Sequence, residues 1–247
     1  MVHQELKRIC KGADTAVLFI HGIVGTPKHF EFLYPLIPAD FSVHSLLLEG
    51  HGKGVEDFSK ASMAKWEAQV QRAVAELAKD HRRILIAAHS MGTLFAIDEA
   101  IREPKVKGLF LLAAPLLIRP RSQALIQPLK LYFNKIKPND SRGLAAKAAY
   151  GIGEEKNPFK YFGWIPRYLE LFKKIRQTRK KLPLLPASAT ILQSREDELV
   201  SIKALSMLRQ IPRAKFKTLE RSAHYYYHEE DRSFIEQEFS AFIEEKP

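Results

Sequence analysis

The chain has little cysteine, no long apolar run and few acidic residues relative to its basic ones. Its single cysteine, Cys10, excludes an internal disulfide framework. No apolar run approaches the roughly 20 residues that a helix needs to cross a bilayer, and residues 1–14 lack the apolar stretch of a signal peptide. Together these absences predict a cytoplasmic protein.

The shortage of acidic residues is confined to one part of the chain. The 247 residues contain 39 Lys and Arg against 28 Asp and Glu, a formal charge of +11. Between residues 119 and 185 there are 16 basic and 4 acidic side chains, and the remainder holds 23 and 24. The sequence therefore combines a nearly neutral core with one strongly cationic segment.

Short apolar runs alternate with helical patterns along most of the chain. The runs at 15–20, 43–48, 84–88, 108–113, 189–193 and 215–219 predict buried strands, and the patterns at 30–36, 62–81, 93–102, 201–210 and 233–244 predict helices. Parallel strands need crossover connections, which helices of this length supply. We therefore expect an α/β fold, a doubly wound and mostly parallel sheet with helices on both faces.

The alternation breaks between residues 115 and 186, a stretch that contains six prolines and two further helical patterns, at 123–136 and 167–181. An insert after the fourth strand would lie above the carboxyl ends of the strands, where open parallel sheets bind ligands. We expect a single domain over residues 1–247. Its core would comprise 1–115 and 186–247, and 116–185 would form an inserted basic helical cap.

Ser90 lies where a strand should turn sharply into a helix. The run from Ile84 ends in Ala88-His89-Ser90-Met91-Gly92, and a helical pattern follows at once. Such a turn lifts a serine hydroxyl above a parallel sheet and tolerates only small residues on either side, because strand and helix are pressed together. The alternative is that Ser90 only caps the helix.

A serine hydroxyl needs a base to become a nucleophile, and the base needs a carboxylate to orient it. His224 follows the last predicted strand and Asp197 follows the one before it, so both should reach the edge of the sheet that carries Ser90. His228 is an alternative base, while Glu196 and Glu198 are alternative orienting acids. His89, although adjacent to Ser90, is predicted to pack or to shape the pocket.

Attack on a carbonyl creates an oxyanion that preorganised amides can stabilise. The segment 21–27 follows the first strong strand, and Gly22 and Gly25 allow its backbone to bend. The N–H groups of Ile23 and Met91 are the expected oxyanion donors. A simple strand-to-helix turn is the alternative interpretation of this segment.

Taken together, these motifs resemble the α/β-hydrolases, in particular small bacterial carboxylesterases and monoacylglycerol lipases. The resemblance rests on His-Gly-Ile-Val-Gly-Thr at 21–26, Glu-Gly-His-Gly at 49–52, Ala-His-Ser-Met-Gly at 88–92, Asp-Glu-Leu-Val at 197–200 and Ser-Ala-His at 222–224. It implies a Ser90, Asp197, His224 triad, the two oxyanion amides, a structural role for 50–52, and neither cofactor nor metal. Ala88 stands where the family has glycine, and the leading segment is too short for the extra strands of larger members.

The basic cap does not follow from the resemblance. Its second helical pattern combines an apolar set with a cationic set; these are Trp164, Tyr168, Leu169, Leu171, Phe172 and Ile175, and Arg167, Lys173, Lys174, Arg176, Arg179, Lys180 and Lys181. The apolar side would cover an acyl pocket, and the charges would face water, an anionic substrate or an anionic membrane. No recognition motif for nucleic acid accompanies them.

We therefore expect a serine hydrolase that cleaves carboxylic acyl esters, including monoacylglycerols, through an acyl-enzyme. A thioesterase or amidase would use the same residues, because they determine acyl transfer and not the leaving group. A non-catalytic protein of the same fold, docking on anionic surfaces, is the alternative from another class.

Overall fold

A seven-stranded sheet forms the centre of the computed structural model, which describes residues 3–122, 124, 126, 130, 132, 133, 135–153 and 155–245. Its strands are β1 (Leu6–Arg8), β2 (Thr15–Ile20), β3 (Ser42–Leu46), β4 (Arg83–His89), β5 (Val106–Leu112), β6 (Ser188–Ser194) and β7 (Ala214–Leu219). They lie in the order β1-β3-β2-β4-β5-β6-β7. Only β1 runs antiparallel to its neighbour. The carboxyl ends of β2 to β7 therefore meet at one edge of the sheet.

Helices connect the strands. Within the described residues they are α1 (Val55–Lys60), α2 (Met63–Asp80), α3 (Met91–Arg102), α4 (Ser141–Ala149), α5 (Ile165–Lys181), α6 (Ala204–Leu208) and α7 (Glu229–Glu244), with 3-10 helices at Pro27–Phe30, Tyr34–Leu36, Pro158–Trp164 and Leu182–Leu184. The Ser62 side chain accepts a hydrogen bond from the Lys65 N–H and caps α2. None of the described helices is long and apolar enough to span a bilayer.

The central strands of the sheet, β2 to β6, are buried on both faces. On one face, Trp66 of α2 and Leu94 of α3 are fully buried in the same apolar cluster as Ile86 of β4. On the other, Phe239 of α7 packs against Phe110, with ring centroids 5.2 Å apart. Burial on both faces explains why the strands read as continuous apolar runs. It confirms the predicted α/β fold with its mostly parallel sheet.

Four local features differ from the prediction. The helix expected at 201–210 is shortened to Ala204–Leu208. Six strands were expected, but Leu6–Arg8 adds a seventh whose three side chains are all exposed, so no apolar pattern marks it. The helix expected at 30–36 is instead two 3-10 helices, because Pro35 has no N–H to continue a helix. The short helix α1 was not predicted.

The segment between β5 and β6 carries α4 and α5, while half of the helix expected at 123–136 lies outside the described residues. On α5 the predicted division of faces is wrong. Leu171 and Ile175 are buried, but Leu169 and Phe172 are exposed by 62% and 42%. The reason is that α5 turns the row containing Leu171 and Ile175 toward the core, which leaves Leu169 and Phe172 outside.

Part of the basic charge of α5 attaches it to the core. Lys174 is buried, and its Nζ lies 2.6 Å from Glu67 Oε1 on α2 and also contacts Asp98 on α3. Lys181 Nζ lies 2.9 Å from the other oxygen of Asp98. A buried ammonium group is stable only with such partners. These ion pairs link α5 to α3, the helix that begins directly after Ser90.

Candidate active site

Ser90 occupies a strained turn between β4 and α3. Its φ of 51° and ψ of −123° lie in a backbone region that residues other than glycine rarely adopt. The Ser90 N–H donates to the Leu112 carbonyl at 2.9 Å, which fixes the turn to the neighbouring strand. Strain of this kind persists only where surrounding structure enforces it, and it often marks a functional position.

Close packing around the turn explains the small residues on either side of Ser90. A Cβ on Gly92 would lie 2.1 Å from the Ile20 carbonyl oxygen, so only glycine lets α3 approach the end of β2. A Cβ on Gly22 would lie 2.8 Å from Ser90 Cβ, which brings the loop after β2 directly against the serine. Ala88 is fully buried within β4, whose neighbours on both sides accommodate its methyl group.

The structure brings Ser90, His224 and Asp197 together from three separate loops at one edge of the sheet. His224 Nε2 lies 3.0 Å from Ser90 Oγ, and His224 Nδ1 lies 2.9 Å from Asp197 Oδ2. All three residues are buried. The second oxygen of Asp197 accepts the N–H groups of Leu199 and Val200, each at 2.8 Å, so the carboxylate has one fixed orientation.

These contacts determine the hydrogen-bond roles of the imidazole. An ionised carboxylate only accepts, so Nδ1 must carry the proton and donate to Asp197, which leaves Nε2 to accept from the Ser90 hydroxyl. Burial is the strongest single influence on the pKa of His224 and lowers it. The charge and hydrogen bond of Asp197, together with the charge of Glu198, outweigh burial and raise the pKa above 6.5.

The neighbouring candidates lie elsewhere. The Glu196 carboxylate pairs with Arg142 at the surface. Glu198 Oε2 accepts the main-chain N–H of His224 at 3.0 Å and does not contact the imidazole nitrogens. His228 is the N-cap residue of α7, and no hydrogen bond within the described chain joins it to Ser90 or Asp197. Of the three acids at 196–198, only Asp197 forms a hydrogen bond with Nδ1 of His224.

The Ile23 amide belongs to a peptide with a fixed orientation. The Gly22 carbonyl accepts from the Gly25 N–H at 3.1 Å and from His21 Nδ1 at 2.8 Å, while His21 Nε2 accepts from the Leu48 N–H. The N–H and C=O of a trans peptide point in opposite directions. The Ile23 N–H therefore faces away from these donors, and the preceding residue, Gly22, packs closely against Ser90.

The Met91 amide is the first N–H of α3, so it has no acceptor within its own helix. It follows Ser90 directly, and Gly22, in the loop that carries Ile23, also lies close to the serine. The Tyr225 hydroxyl donates to the Ile23 carbonyl at 3.0 Å and ties that loop to the segment of His224. Preorganised amides close to a serine can stabilise a negative oxygen.

A layer of neutral histidines surrounds the site, and sequence reasoning missed most of it. His89 Nε2 lies 3.0 Å from the His224 carbonyl oxygen, and the His89 ring lies 3.9 Å from that of His29 between centroids. His29 Nε2 lies 2.9 Å from the Tyr227 hydroxyl. Burial, followed by the charges of His224 and His21, lowers the pKa of His29 to about 3. The one signal of this layer in the sequence is the cluster of aromatic residues that follows His224.

The loop at 49–52 packs against His21, the residue that precedes Gly22. Gly50 and Gly52 have φ of 81° and 74°, which favour glycine. His51 is buried, and its ring contacts those of His21, Phe58 and Trp66. Across the described part of the chain, no three His, Cys, Asp or Glu side chains converge as metal ligands.

Known proteins are similar to this chain in sequence and in fold. A carboxylesterase of Bacillus subtilis (strain 168) is 21% identical over 239 residues, covering 95% of this chain and 94% of its own. Among solved structures, a metagenome-derived lipolytic enzyme superposes with a TM-score of 0.74 at 23% identity, covering 98% of this chain and 97% of its own. The monoacylglycerol lipase of Paleococcus ferrophilus gives 0.69 at 15% identity, with 98% and 100% covered.

These structural likenesses establish the fold. The family model described as the alpha/beta hydrolase family matches residues 17–237, nearly the whole sheet domain with its serine turn. The chain belongs to the alpha/beta hydrolase family.

Proposed function

We propose that this protein hydrolyses carboxylic acyl esters by serine catalysis through an acyl-enzyme. The observation that carries the proposal is the continuous hydrogen-bonded path from Ser90 Oγ to His224 Nε2 and from Nδ1 to Asp197. Nucleophile, base and orienting acid on separate loops form the arrangement that activates a serine hydroxyl.

In the proposed reaction, Ser90 Oγ attacks the ester carbonyl while His224 takes its proton. Asp197 holds the imidazole and stabilises its positive charge, and the N–H groups of Ile23 and Met91 bind the oxyanion. His224 then protonates the leaving alcohol. Water deprotonated by the same base releases the acid from the acyl-enzyme.

The relatives favour esters as substrates, since they include a carboxylesterase and a monoacylglycerol lipase. The residues at the site do not by themselves choose a leaving group, so a thioesterase or an amidase is the second candidate. We propose neutral acyl esters, monoacylglycerols among them, because a carboxylesterase and a monoacylglycerol lipase are among the proteins similar to this chain.

A fluorophosphonate probe tests the proposed nucleophile, because it reacts only with an activated serine. We expect wild type to be labelled and Ser90→Ala to remain unlabelled. We also expect wild type to turn over nitrophenyl esters and monoacylglycerols faster than acyl-CoA. Labelling and ester turnover are measured on the same preparation, and thermal unfolding verifies that Ser90→Ala is folded.

Two other results would each favour one of the alternative functions. Faster hydrolysis of acyl-CoA would favour the thioesterase. Absence of labelling and of turnover, combined with strong and salt-sensitive binding to liposomes, would favour a non-catalytic docking protein of the same fold.

We further propose that residues 116–185 are a cap on a single core domain and that its outer surface binds anionic membranes. Phe162, Ile165, Leu169 and Phe172 follow one another at intervals of three and four residues, and all are exposed by 42–63%. Phe159 beside them is exposed by 72%. We call these five residues the apolar stripe. Exposed apolar side chains grouped on one surface can mark a site that binds a membrane or a protein.

The cationic side chains of α5 that are not used internally continue the apolar stripe. Lys173, Arg176 and Lys180 are exposed, and none of them forms an ion pair with a described residue. An apolar face flanked by cations suits the boundary of an anionic bilayer, where the rings enter the headgroup region. A hydrolase bound there would meet lipid esters directly.

Vesicle sedimentation tests this surface. Each basic side chain near an anionic bilayer contributes about 1 kcal/mol. The triple variant K173Q/R176Q/K180Q should therefore bind phosphatidylglycerol vesicles on the order of 100-fold more weakly. Phe162→Ser with Leu169→Ser should also weaken binding. Ile9→Ser, which removes an equally exposed apolar side chain far from the cap, is the matched control, and equal binding by all variants would rule out the surface.

A further inference from the structure

Side chains bind both main-chain polar groups of the proposed base. The His224 N–H donates to Glu198 Oε2 at 3.0 Å, and the His224 carbonyl accepts from His89 Nε2 at 3.0 Å. His224 lies in the loop after β7, so no strand neighbour satisfies these groups. The position of its backbone therefore depends on these two side chains.

Glu198 is itself anchored at a fixed place. Its carbonyl accepts the N–H of Arg121 at 2.8 Å, and the two residues that follow it donate their N–H groups to Asp197. Asp197 and Glu198 are neighbours in one tight loop, yet they reach His224 at different atoms. The loop thus presents one carboxylate to the ring and one to the backbone of the same histidine.

Among the described residues, Asp197 and Glu198 are the carboxylates whose charges raise the pKa of this imidazole. His29 and His89 have strongly lowered pKa values because they are buried, so they are neutral near pH 7. Burial likewise raises the pKa values of Tyr225 and Tyr227, so they also carry no charge there. Ser90 completes the surroundings of the ring as a neutral hydrogen-bond donor.

A negative charge close to His224 affects its two protonation states unequally. It stabilises the imidazolium, the form that exists after the serine has lost its proton, and leaves the neutral form nearly unchanged. The charge of Glu198 raises the pKa of His224, and its effect is smaller than those of burial and of Asp197. A carboxylate that also accepts the main-chain N–H combines this electrostatic effect with a positional one.

We propose that Glu198 is a second carboxylate for the base: it fixes the His224 backbone and stabilises the imidazolium that forms when Ser90 attacks. Glu198 touches neither substrate nor reacting atoms, so it is a positioning residue. The inference rests on the function proposed above, because it assigns His224 the role of base.

Three variants separate charge from position. Glu198→Gln keeps an oxygen that can accept the His224 N–H but removes the charge, whereas Glu198→Ala removes both. Glu196→Gln is the matched control, because it neutralises a carboxylate two residues earlier that pairs with Arg142 and not with His224. Values of kcat/KM are measured against pH with a neutral nitrophenyl ester.

We expect the rising limb of the profile to move to lower pH in Glu198→Gln. The base must be neutral to accept a proton, and without the nearby charge His224 stays neutral in more acidic solution. On the plateau, the loss should be about threefold for Glu198→Gln and about tenfold or more for Glu198→Ala, which leaves the amide without its charged acceptor. In Glu196→Gln the rising limb of the kcat/KM profile should lie at the same pH as in wild type.

The inference can fail separately from the proposed function. If wild type hydrolyses the ester but the limb of Glu198→Gln coincides with that of wild type, Glu198 has no electrostatic role. If Glu198→Ala also matches wild type, the positional role is lost too. Should wild type show neither turnover nor fluorophosphonate labelling, the proposed function fails. The imidazole pKa of His224, measured by NMR titration and assigned with His224→Gln, then still decides whether Glu198 raises it.

Discussion

Replacing Asp197 by asparagine should lower kcat/KM for a nitrophenyl ester by about four orders of magnitude without unfolding the protein. The two residues have nearly the same shape, so the buried volume is unchanged. What changes is that one of two hydrogen-bond acceptors becomes a donor. The expected loss arises from the protonation pattern of His224.

The surroundings of Asp197 determine how an asparagine would lie. The main-chain N–H groups of Leu199 and Val200 both point at Oδ1, so the amide oxygen must take that position. The NH2 group then faces His224 Nδ1, which has to accept. A neutral imidazole that accepts at Nδ1 carries its proton on Nε2, directed at Ser90. In that tautomer His224 cannot take the proton of the serine.

The measurement is a full kinetic comparison with Glu196→Gln, which removes an adjacent carboxylate that does not contact His224. Thermal unfolding should show Asp197→Asn close to wild type, because both backbone hydrogen bonds to the side-chain oxygen remain. A decrease of less than tenfold in a folded protein would mean that another group orients the base.

The main elements of the fold could be predicted because their signals are local. Runs such as Thr15–Ile20 are apolar since both faces of the sheet are covered there, and a buried strand needs no partner to be recognised. Leu6–Arg8 has no such signal, because it is an exposed edge strand defined only by its pairing with β3. Ser90 was recognisable for a related reason, since the sharp turn itself demands small neighbours.

Directions of side chains could not be predicted where they depend on distant residues. Lys174 looked like part of a solvated cationic face, yet it is buried because Glu67 and Asp98, 107 and 76 residues away in sequence, lie beneath it. The choice among residues 196–198 was open for the same reason. The three adjacent acids differ only in the direction in which the loop points each side chain. That direction depends on the contacts of the loop with His224 and Arg142.

The stability of the protein should fall as the pH decreases from 6.5 to 5, because several histidines are buried in neutral form. Burial is the main cause that lowers the pKa of His21 to about 4 and that of His29 to about 3, and it lowers those of His51 and His89 as well. In the unfolded chain each takes up a proton near pH 6.5. Their stabilising contribution is thus complete above pH 6.5 and is lost as the pH falls toward the folded pKa values.

Linkage gives the size of this effect. At pH 5, His21 and His29 each account for about 2 kcal/mol of lost stability, against a total of about 5–15 kcal/mol for a typical domain. Two groups act in the opposite direction. Burial raises the pKa of Glu99 to about 7, and the pKa of His224 is raised, so both bind protons more readily in the folded state. The four histidines outnumber them, so we expect a net loss.

A single substitution isolates one histidine from these opposing groups. In His29→Gln the amide can still hydrogen-bond the Tyr227 hydroxyl, but the variant has no proton to take up on unfolding. Urea denaturation of both proteins at pH 7.5 and pH 5 gives the difference in unfolding free energy. Between pH 7.5 and pH 5, the unfolding free energy of the variant should rise by about 2 kcal/mol relative to that of wild type. This change does not depend on how much less stable the variant is at pH 7.5. The lost packing of its ring on His89 contributes equally at both pH values and therefore cancels. An unchanged difference would mean that His29 titrates alike in the folded and unfolded chain, so that its burial does not exclude the charged form.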